Sequence, residues 1–149
     1  MIRLYPVAYV RNDVPEPIHE GWDEIVSELV VEPRFAAALN GIEDYSHLVV
    51  LFWIHDVPPA RRRQLEIHPR DRQDLPLVGV FATRTQYRPN PIGLTVVRLR
   101  GRRGNVLVVQ GLDAIDGTPV LDIKPYLPRR DEVAETKVPE WMERLREGK

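Results

Sequence analysis

Residues 47–55 read HLVVLFWIH, and this segment constrains the fold more strongly than any other part of the chain. Between the flanking residues His47 and His55, both alternating sets of positions are apolar. Because successive side chains of a β-strand point to opposite faces, this pattern predicts a strand that is buried on both faces. One face would fill a core, and a helix or a partner subunit would cover the other.

Further short strands are predicted on both sides of this segment. They are residues 4–10, 28–31, 78–83, 92–99, 106–110 and 120–126. Turns are expected at residues 101–105 and at Asp116-Gly117, where Gly and Asp favour turn conformations. The last strand is expected near a sheet edge because Pro119 and Pro125 bracket it, and proline cannot donate to a central hydrogen-bond ladder.

The remaining segments predict little helix. Residues 58–74 are rich in proline and arginine and are expected to be a loop. Short helices are predicted at Pro33–Leu39 and at residues 139–146, the second with Trp141 and Leu145 on one face. About seven short strands with only short helices predict a mainly-β barrel or sandwich.

Length and composition exclude several classes of protein. The chain has 149 residues, which suits one domain, and 43% of them are hydrophobic, which argues against disorder. It has no cysteine, so disulfides, thiolate metal sites and cysteine nucleophiles are excluded. No apolar run reaches membrane-spanning length and no secretory leader is visible, so we expect a cytoplasmic protein with no membrane partner. His47 and His55 would lie roughly 26 Å apart on one strand, and no metal site is predicted.

Charge is unevenly distributed along the chain. Residues 1–60 hold three Arg and ten Asp or Glu, whereas residues 61–103 hold eleven Arg and three Asp or Glu. Arginine presents a planar fork that suits phosphate, so this basic block favours a phosphate-bearing partner such as RNA. A solvated arginine-rich loop explains the same composition equally well.

Two segments carry residue types suited to chemistry, and residues 83–94 (TRTQYRPNPIGL) are the first. Pro89 and Pro91 fix two backbone angles and predict a stiff loop between strands. This loop presents three polar side chains, which are Arg84, Arg88 and Asn90. Arginine binds carboxylate or phosphate, and asparagine can read an adenine edge. The alternative is a proline-stiffened turn with arginines that face solvent.

Residues 112–126 (LDAIDGTPVLDIKPY) are the second such segment, with three carboxylates and one lysine. Carboxylates at these positions are able to bind ribose hydroxyls, accept a hydrogen bond from an amine or act as a base. Asp116 is better explained as a turn cap, whereas Asp122 and Lys124 within a predicted strand favour a functional role. His55 and Asp56 at a strand end either line a pocket or make a local hydrogen bond.

Four segments carry a family resemblance. They are residues 41–48 (GIEDYSHL), 79–84 (GVFATR), 88–94 (RPNPIGL) and 116–126 (DGTPVLDIKPY). Together they resemble the TsaA-like family, the YaeB or TrmO type of S-adenosylmethionine-dependent tRNA methyltransferase. The resemblance covers roughly residues 4–127. It implies a single domain spanning residues 1–149. A single-sheet β-barrel with a few short peripheral helices would occupy about residues 4–127, and a helical tail would occupy about residues 139–147.

The resemblance also implies an activity and its residues. The family binds S-adenosylmethionine, works as a homodimer and methylates N6 of threonylcarbamoyl-adenosine beside the tRNA anticodon. The implied cofactor-binding residues are His55, Asp56, Arg84, Leu94, Asp113, Ala114, Ile115 and Asp116. The implied catalytic residues are Asp122, Lys124 and Tyr126, with Asp122 as the group that orients or deprotonates the acceptor nitrogen. The implied substrate-binding residues, for the anticodon stem-loop, are Arg88, Asn90 and Tyr87, although Tyr87 is equally suited to packing.

The N-terminal loop departs from the family pattern. Bacterial members carry a Pro-Arg-Gln segment there that helps to bind the cofactor, whereas residues 12–17 read NDVPEP. The C-terminal extension of those members is also missing from this sequence. The departure in the N-terminal loop keeps open a cofactor- or RNA-binding module without turnover, and a methyltransferase with a different acceptor is a second alternative.

Overall fold

The computed structural model describes residues 1–147 and is mainly β. The strands are β1 (Ala8–Arg11), β2 (Val26–Val31), β3 (His47–Trp53), β4 (Glu66–Ile67), β5 (Val78–Gly79), β6 (Ile92–Arg103), β7 (Val106–Gln110) and β8 (Pro119–Pro125). The α-helices are α1 (Pro128–Asp131) and α2 (Glu140–Glu147). Short 3₁₀ helices occupy Trp22–Glu24, Pro33–Leu39, Ile42–Asp44, Pro59–Arg63, Pro69–Asp71 and Val80–Ala82.

The chain divides into two compact units. The first comprises Met1–Asp56 and Pro91–Tyr126, and the second comprises Val57–Asn90 and the chain that follows Tyr126. Residues 57–90 therefore form an insertion between two neighbouring strands of the first unit. No helix within residues 1–147 combines the length and the apolarity that a bilayer span requires.

The first unit is a closed antiparallel barrel of six strands. Their order is β1-β2-β7-β6-β3-β8, and the barrel closes where Ala8 pairs with Val120. The predicted mainly-β barrel is thus confirmed. The prediction that β8 lies near an edge is wrong, because β8 pairs with β3 on one side and β1 on the other. Pro119 and Pro125 are tolerated there because they are the first and last residues of the strand.

The core of the barrel follows the alternation of its strands. In β3, Leu48, Val50 and Phe52 are 0%, 0% and 4% exposed and point into the barrel. The intervening residues Val49 and Leu51 are half-buried. The predicted burial of this strand is therefore complete on its inner face and partial on its outer face.

Several element boundaries differ from the sequence prediction. The first strand begins at Ala8 rather than residue 4, and Leu4 is exposed. β6 continues to Arg103 through an irregularity between Leu99 and Gly101 that absorbs an extra residue. The strand predicted at residues 78–83 ends at Gly79, because the chain then bends into a 3₁₀ turn.

The second unit has a small core of its own. β4 and β5 form a two-stranded hairpin that pairs Ile67 with Val78. Leu75, Trp141 and Leu145 are buried together, and Val78 packs against them. The prediction that Trp141 and Leu145 share one face of a C-terminal helix is confirmed. The segment predicted as a loop at residues 58–74 contains β4 and two 3₁₀ turns, so it is more regular than expected.

Candidate functional site

The outer surface of strands β6, β3 and β8 brings several predicted site residues together. Strand register places Leu94 opposite Leu51, and Leu51 opposite Asp122. Because partners in register share a face, these three side chains form one row across the outside of the barrel. Two strand spacings separate the ends of the row, a distance of about 10 Å. We call the surface formed by this row and the next one the outer face.

The next row of the outer face is Val96, Val49 and Lys124, in the same strand order. Leu94 and Val96 are 49% and 44% exposed, which is unusual for two apolar residues on one strand. The outer face is therefore apolar over β6 and β3 and charged over β8. Such a boundary suits a ligand with an apolar part and a polar part.

Asp122 and Lys124 form an ion pair along β8. Lys124 Nζ lies 2.7 Å from Asp122 Oδ2, and Asp122 Oδ1 accepts a hydrogen bond of 2.9 Å from the Ile123 amide. The hydrogen bond and the charge of Asp122 raise the pKa of Lys124 above its ordinary value. Lys124 therefore keeps its proton at neutral pH. Its chemistry is that of a fixed positive charge that orients the Asp122 carboxylate, and not that of a base.

Tyr126, the third predicted catalytic residue, lies just beyond the end of β8. Its amide donates a hydrogen bond of 3.0 Å to the His47 carbonyl. The two rings meet edge to face with their centroids 6.5 Å apart. This contact holds Tyr126 beside the strand on the same side of the chain as His47. Asp122 and Lys124 thus lie on β8, and Tyr126 follows directly after its last residue.

The acidic connection, residues 111–118, crosses one end of the barrel. Asp113 Oδ1 accepts a hydrogen bond from Thr95 Oγ1, which ties the connection to β6 beside Leu94. Asp116 Oδ1 accepts a hydrogen bond of 3.0 Å from the Asn12 amide. Both carboxylates remain exposed to solvent. Asp116 therefore joins the acidic connection to the N-terminal loop rather than capping its own turn, and it still presents a second oxygen.

Asn12 joins the N-terminal loop to the acidic connection. Its Nδ2 donates hydrogen bonds of 2.9 Å to both Ser27 Oγ and the Ala114 carbonyl. Ser27 is 1% exposed, so the side chain of Asn12 reaches into the barrel wall. The predicted cofactor residue Ala114 is itself 4% exposed and packs in the core. Its neighbour Ile115 is half-buried.

His55 and Asp56 follow β3 at the same end of the barrel. The end of β3 and the start of β8 lie together there, because Phe52 pairs with Val120. The Ile54 amide donates a hydrogen bond of 2.8 Å to the Pro91 carbonyl, which fixes the chain just before His55. Both predicted side chains are exposed. Within the first unit, the predicted cofactor residues are thus gathered at one end of the barrel and on the adjoining part of β6.

The other predicted residues lie in the second unit, in a loop that is braced by its own side chains. Thr83 Oγ1 donates to the Val80 carbonyl at 2.8 Å and accepts from the Thr85 amide at 3.2 Å. Arg88 Nη1 donates to the carbonyls of Thr83 and Thr85 at 3.0 and 3.2 Å. Part of the hydrogen-bonding capacity of Arg88, predicted to bind substrate, is therefore used to hold the loop.

Arg84, Tyr87 and Asn90 differ in how free they are. Arg84 is exposed and makes no hydrogen bond or ion pair with any residue in the described part of the chain. Asn90 is also exposed. Tyr87 is half-buried, and the guanidinium carbon of Arg61 lies 3.6 Å from its ring centroid. One face of Tyr87 is therefore already covered by a cation.

Sequence reasoning missed two residues that the structure draws attention to. Thr95 holds Asp113, although nothing in the alternation of a strand marks a threonine for that role. Phe81 is 79% exposed, although it falls in a segment predicted to be a regular strand. No signal in residues 78–83 distinguishes Phe81 from an ordinary strand residue.

A cavity of about 440 Å³ opens on the first unit, and Asn12, which bonds to the acidic connection, is one of the residues that line it. It is lined in part by Arg11, Glu28 and Arg103, and both arginines pair with Glu28 at 3.1 Å. None of the residues predicted to bind cofactor lines it. Among residues 1–147, no three His, Asp or Glu side chains are grouped so as to hold a metal ion.

Comparison with known proteins gives consistent results. A family model described as the tRNA-methyltransferase O N-terminal domain matches residues 10–132. An Archaeoglobus fulgidus protein named probable S-adenosyl-L-methionine-binding protein is 40% identical over 147 residues, 96% of this chain. A Pseudomonas aeruginosa protein named putative S-adenosylmethionine-dependent methyltransferase RcsF is 42% identical over 139 residues, 89% of this chain.

A solved structure has the same fold. The crystal structure of TrmO from P. aeruginosa matches 95% of this chain with a TM-score of 0.76 at 34% identity. This chain spans 62% of that crystallised chain. It spans 60% of the Pseudomonas relative and 38% of the Archaeoglobus relative.

Proposed function

This chain belongs to the tRNA-methyltransferase O N-terminal domain family, and from that premise we propose that it binds S-adenosylmethionine and transfers the methyl group to RNA. The acceptor that we propose is N6 of threonylcarbamoyl-adenosine beside the tRNA anticodon. The single observation that carries the proposal is the row of Leu94, Leu51 and Asp122 on the outer face. It sets an apolar surface within about 10 Å of a carboxylate oriented by a lysine.

The residues at the barrel end suit the chemistry of the cofactor. Its sulfonium is a cation and its ribose carries two hydroxyl groups, and exposed carboxylates match both. Asp113 and Asp116 are exposed, and each uses one named oxygen within the protein while a second oxygen remains. Leu94 offers exposed apolar surface on the outer face, one residue along β6 from Thr95, which bonds to Asp113 from the opposite face of the strand. These residues would hold the cofactor, and bound S-adenosylmethionine would supply an activated methyl group.

The protein's own part in the reaction is to position and deprotonate the acceptor. An exocyclic nitrogen is a weak nucleophile, so an acceptor for its proton assists its attack. In this proposal Asp122 accepts the proton. Its carboxylate is held by Lys124 at 2.7 Å and by the Ile123 amide at 2.9 Å. This fixed geometry favours one orientation of the acceptor N–H.

Methyl transfer from labelled S-adenosylmethionine tests the proposal. The wild-type chain is expected to label tRNA from cells that lack the N6 methylation of threonylcarbamoyl-adenosine, and not tRNA that already carries it. Asp122→Asn is expected to lower the rate about 10²- to 10⁴-fold, the usual contribution of a general base, while calorimetry shows unchanged cofactor affinity. Asp44→Asn, an exposed carboxylate of the same unit, is the control and is expected to keep full activity. An Asp122→Asn variant as fast as wild type would remove Asp122 from the mechanism.

A second candidate is a cofactor-binding module without turnover. The observation in its favour is the N-terminal loop, where the side-chain amide of Asn12 donates its hydrogen bonds to Ser27 and Ala114 within the protein. The name of the Archaeoglobus relative also describes binding alone. Calorimetric binding of S-adenosylmethionine without transfer to any RNA would identify this alternative. Arg84 as a cofactor residue, the homodimer and the cytoplasmic location stay predictions.

A further inference from the structure

Phe81 occupies an unusual position in the second unit. Its side chain is 79% exposed, while its neighbour Val80 is 2% exposed and anchors the turn. The backbone at this point is also fixed, because the Val80 amide donates a hydrogen bond of 2.9 Å to the Leu65 carbonyl. A phenylalanine is thus held out in solvent by an ordered turn. An exposed aromatic ring on a fixed support is suited to stack against a planar ligand.

The surroundings of Phe81 are basic. Val57–Asn90 holds seven Arg against three Asp or Glu. The guanidinium carbon of Arg88 lies 6.0 Å from the Phe81 ring centroid. Arg84, three residues along the chain, is exposed and unpaired within residues 1–147. The same short loop therefore carries a π-face and a free cation.

The loop that carries these two side chains is pre-organised. The hydroxyls of Thr83 and Thr85 each accept a hydrogen bond from the amide two residues ahead, and Arg88 donates to the carbonyls of both threonines. A surface whose backbone is already ordered loses little entropy on binding. The ligand that fits a fixed aromatic ring in an arginine-rich segment is an unpaired nucleotide, because its base can stack on the ring and arginine attracts its phosphate.

We propose that Phe81 stacks on an unpaired base of the RNA substrate, in a segment whose excess of arginine attracts the neighbouring phosphates. This inference rests on the proposed function and names one residue, Phe81, by which the second unit engages RNA. Phe81 takes the stacking role for which the sequence offered Tyr87, whose ring is already covered by Arg61. A protein partner is disfavoured by chemistry, because one aromatic ring among arginines is far smaller than a stable protein interface.

Binding of a synthetic RNA hairpin with an unpaired loop tests the inference, with the blunt duplex of its stem for comparison. Phe81→Ala is expected to weaken hairpin binding about 5- to 150-fold and to leave duplex binding unchanged. Phe81→Leu is expected to bind the hairpin nearly as weakly as Phe81→Ala, because leucine keeps apolar bulk without a π-face. Phe81→Trp is expected to bind the hairpin with the affinity of wild type. Leu77→Ala removes exposed apolar surface from the same unit and is the matched control.

Two further measurements separate stacking from charge. Phe81→Ala is expected to leave the salt dependence of binding unchanged, because a stacked ring neutralises no phosphate. A 2-aminopurine placed in the loop is expected to lose fluorescence on binding to wild type and to keep it with Phe81→Ala.

Three results would overturn the inference. One is equal hairpin affinity for wild type, Phe81→Ala and Phe81→Leu. Another is a Phe81→Ala variant that loses S-adenosylmethionine in calorimetry but not RNA, which would assign the ring to the cofactor adenine. The third is a change in sedimentation with unaltered RNA binding, which would assign it to self-association. In each case, methyl transfer by wild type would leave the proposed function standing, whereas absence of transfer and of RNA binding would reject both.

Discussion

Gly93 shows how closely single residues are fitted in the barrel. A Cβ at this position would lie 2.4 Å from Phe52 Cζ, and Phe52 is 4% exposed. Gly93→Ala is therefore expected to destabilise the fold by about 1–3 kcal/mol through overpacking, as measured by chemical denaturation. Phe52→Leu in the same chain is expected to recover part of the loss.

Gly101 provides the control for this substitution. It lies on the same strand, and a Cβ there would have no atom within 4 Å. Gly101→Ala is expected to be neutral or to stabilise by up to about 1 kcal/mol, because alanine restricts the unfolded chain. Equal losses in the two variants would show that backbone preference, and not contact with Phe52, explains the glycine.

Elements are fixed by side chains as well as by strand ladders, and the loop after β5 is the clearest case. Thr83→Val removes the hydroxyl that bonds Val80 and Thr85 while it keeps the volume. The amides of residues 83–88 are expected to exchange about 5- to 10-fold faster, since each lost hydrogen bond contributes about 1 kcal/mol. Thr136→Val, at an exposed site, is the control, and equal protection in both variants would contradict a bracing role.

The limits of sequence prediction also belong to the elements. Residues 47–53 and 106–110 were predictable because their apolar patterns match strands that have a partner on each side. The end of β5 was not, because it depends on a hydroxyl that bonds a carbonyl three residues earlier. Pro119 and Pro125 suggested an edge because the rule that excludes proline from central strands takes no account of barrel closure.

At the scale of the whole molecule, carboxylates that pair on the barrel surface make stability depend on pH. Hydrogen bonding from Arg11 lowers the pKa of Glu28, and Arg102 lowers that of Glu43 in the same way. Because the folded pKa lies below the unfolded one, this stabilisation is complete above the unfolded pKa. It is lost as the pH falls through the folded pKa.

Glu28→Gln is accordingly expected to flatten the acid limb of a plot of unfolding free energy against pH. High salt is expected to reduce the difference between the variant and wild type, because Arg11 and Arg103 are 58% and 77% exposed and their charges are screened. Glu16→Gln, in an exposed loop, is the control. A variant whose acid limb matches wild type would show that the pairs contribute nothing measurable.

The candidate site was only partly predictable at this scale. Asp122 and Lys124 were singled out because charged residues are unusual within an apolar strand, and they do form a pair. Their neighbourhood with Leu94 depends on strand order, which places β3 between β6 and β8. Local sequence contains no such information, because residues 94 and 122 are brought together by pairings that are distant along the chain.

The pairing of Ala8 with Val120 joins one of the first residues of the barrel to its last strand. During synthesis, β1 and β3 each keep unsatisfied backbone groups along one side until β8 has been made. A nascent chain released before residue 119 would present two such sides, which are templates for aggregation. The distant pairing also places this barrel among slowly folding topologies, because the chain must close a long loop before these contacts form.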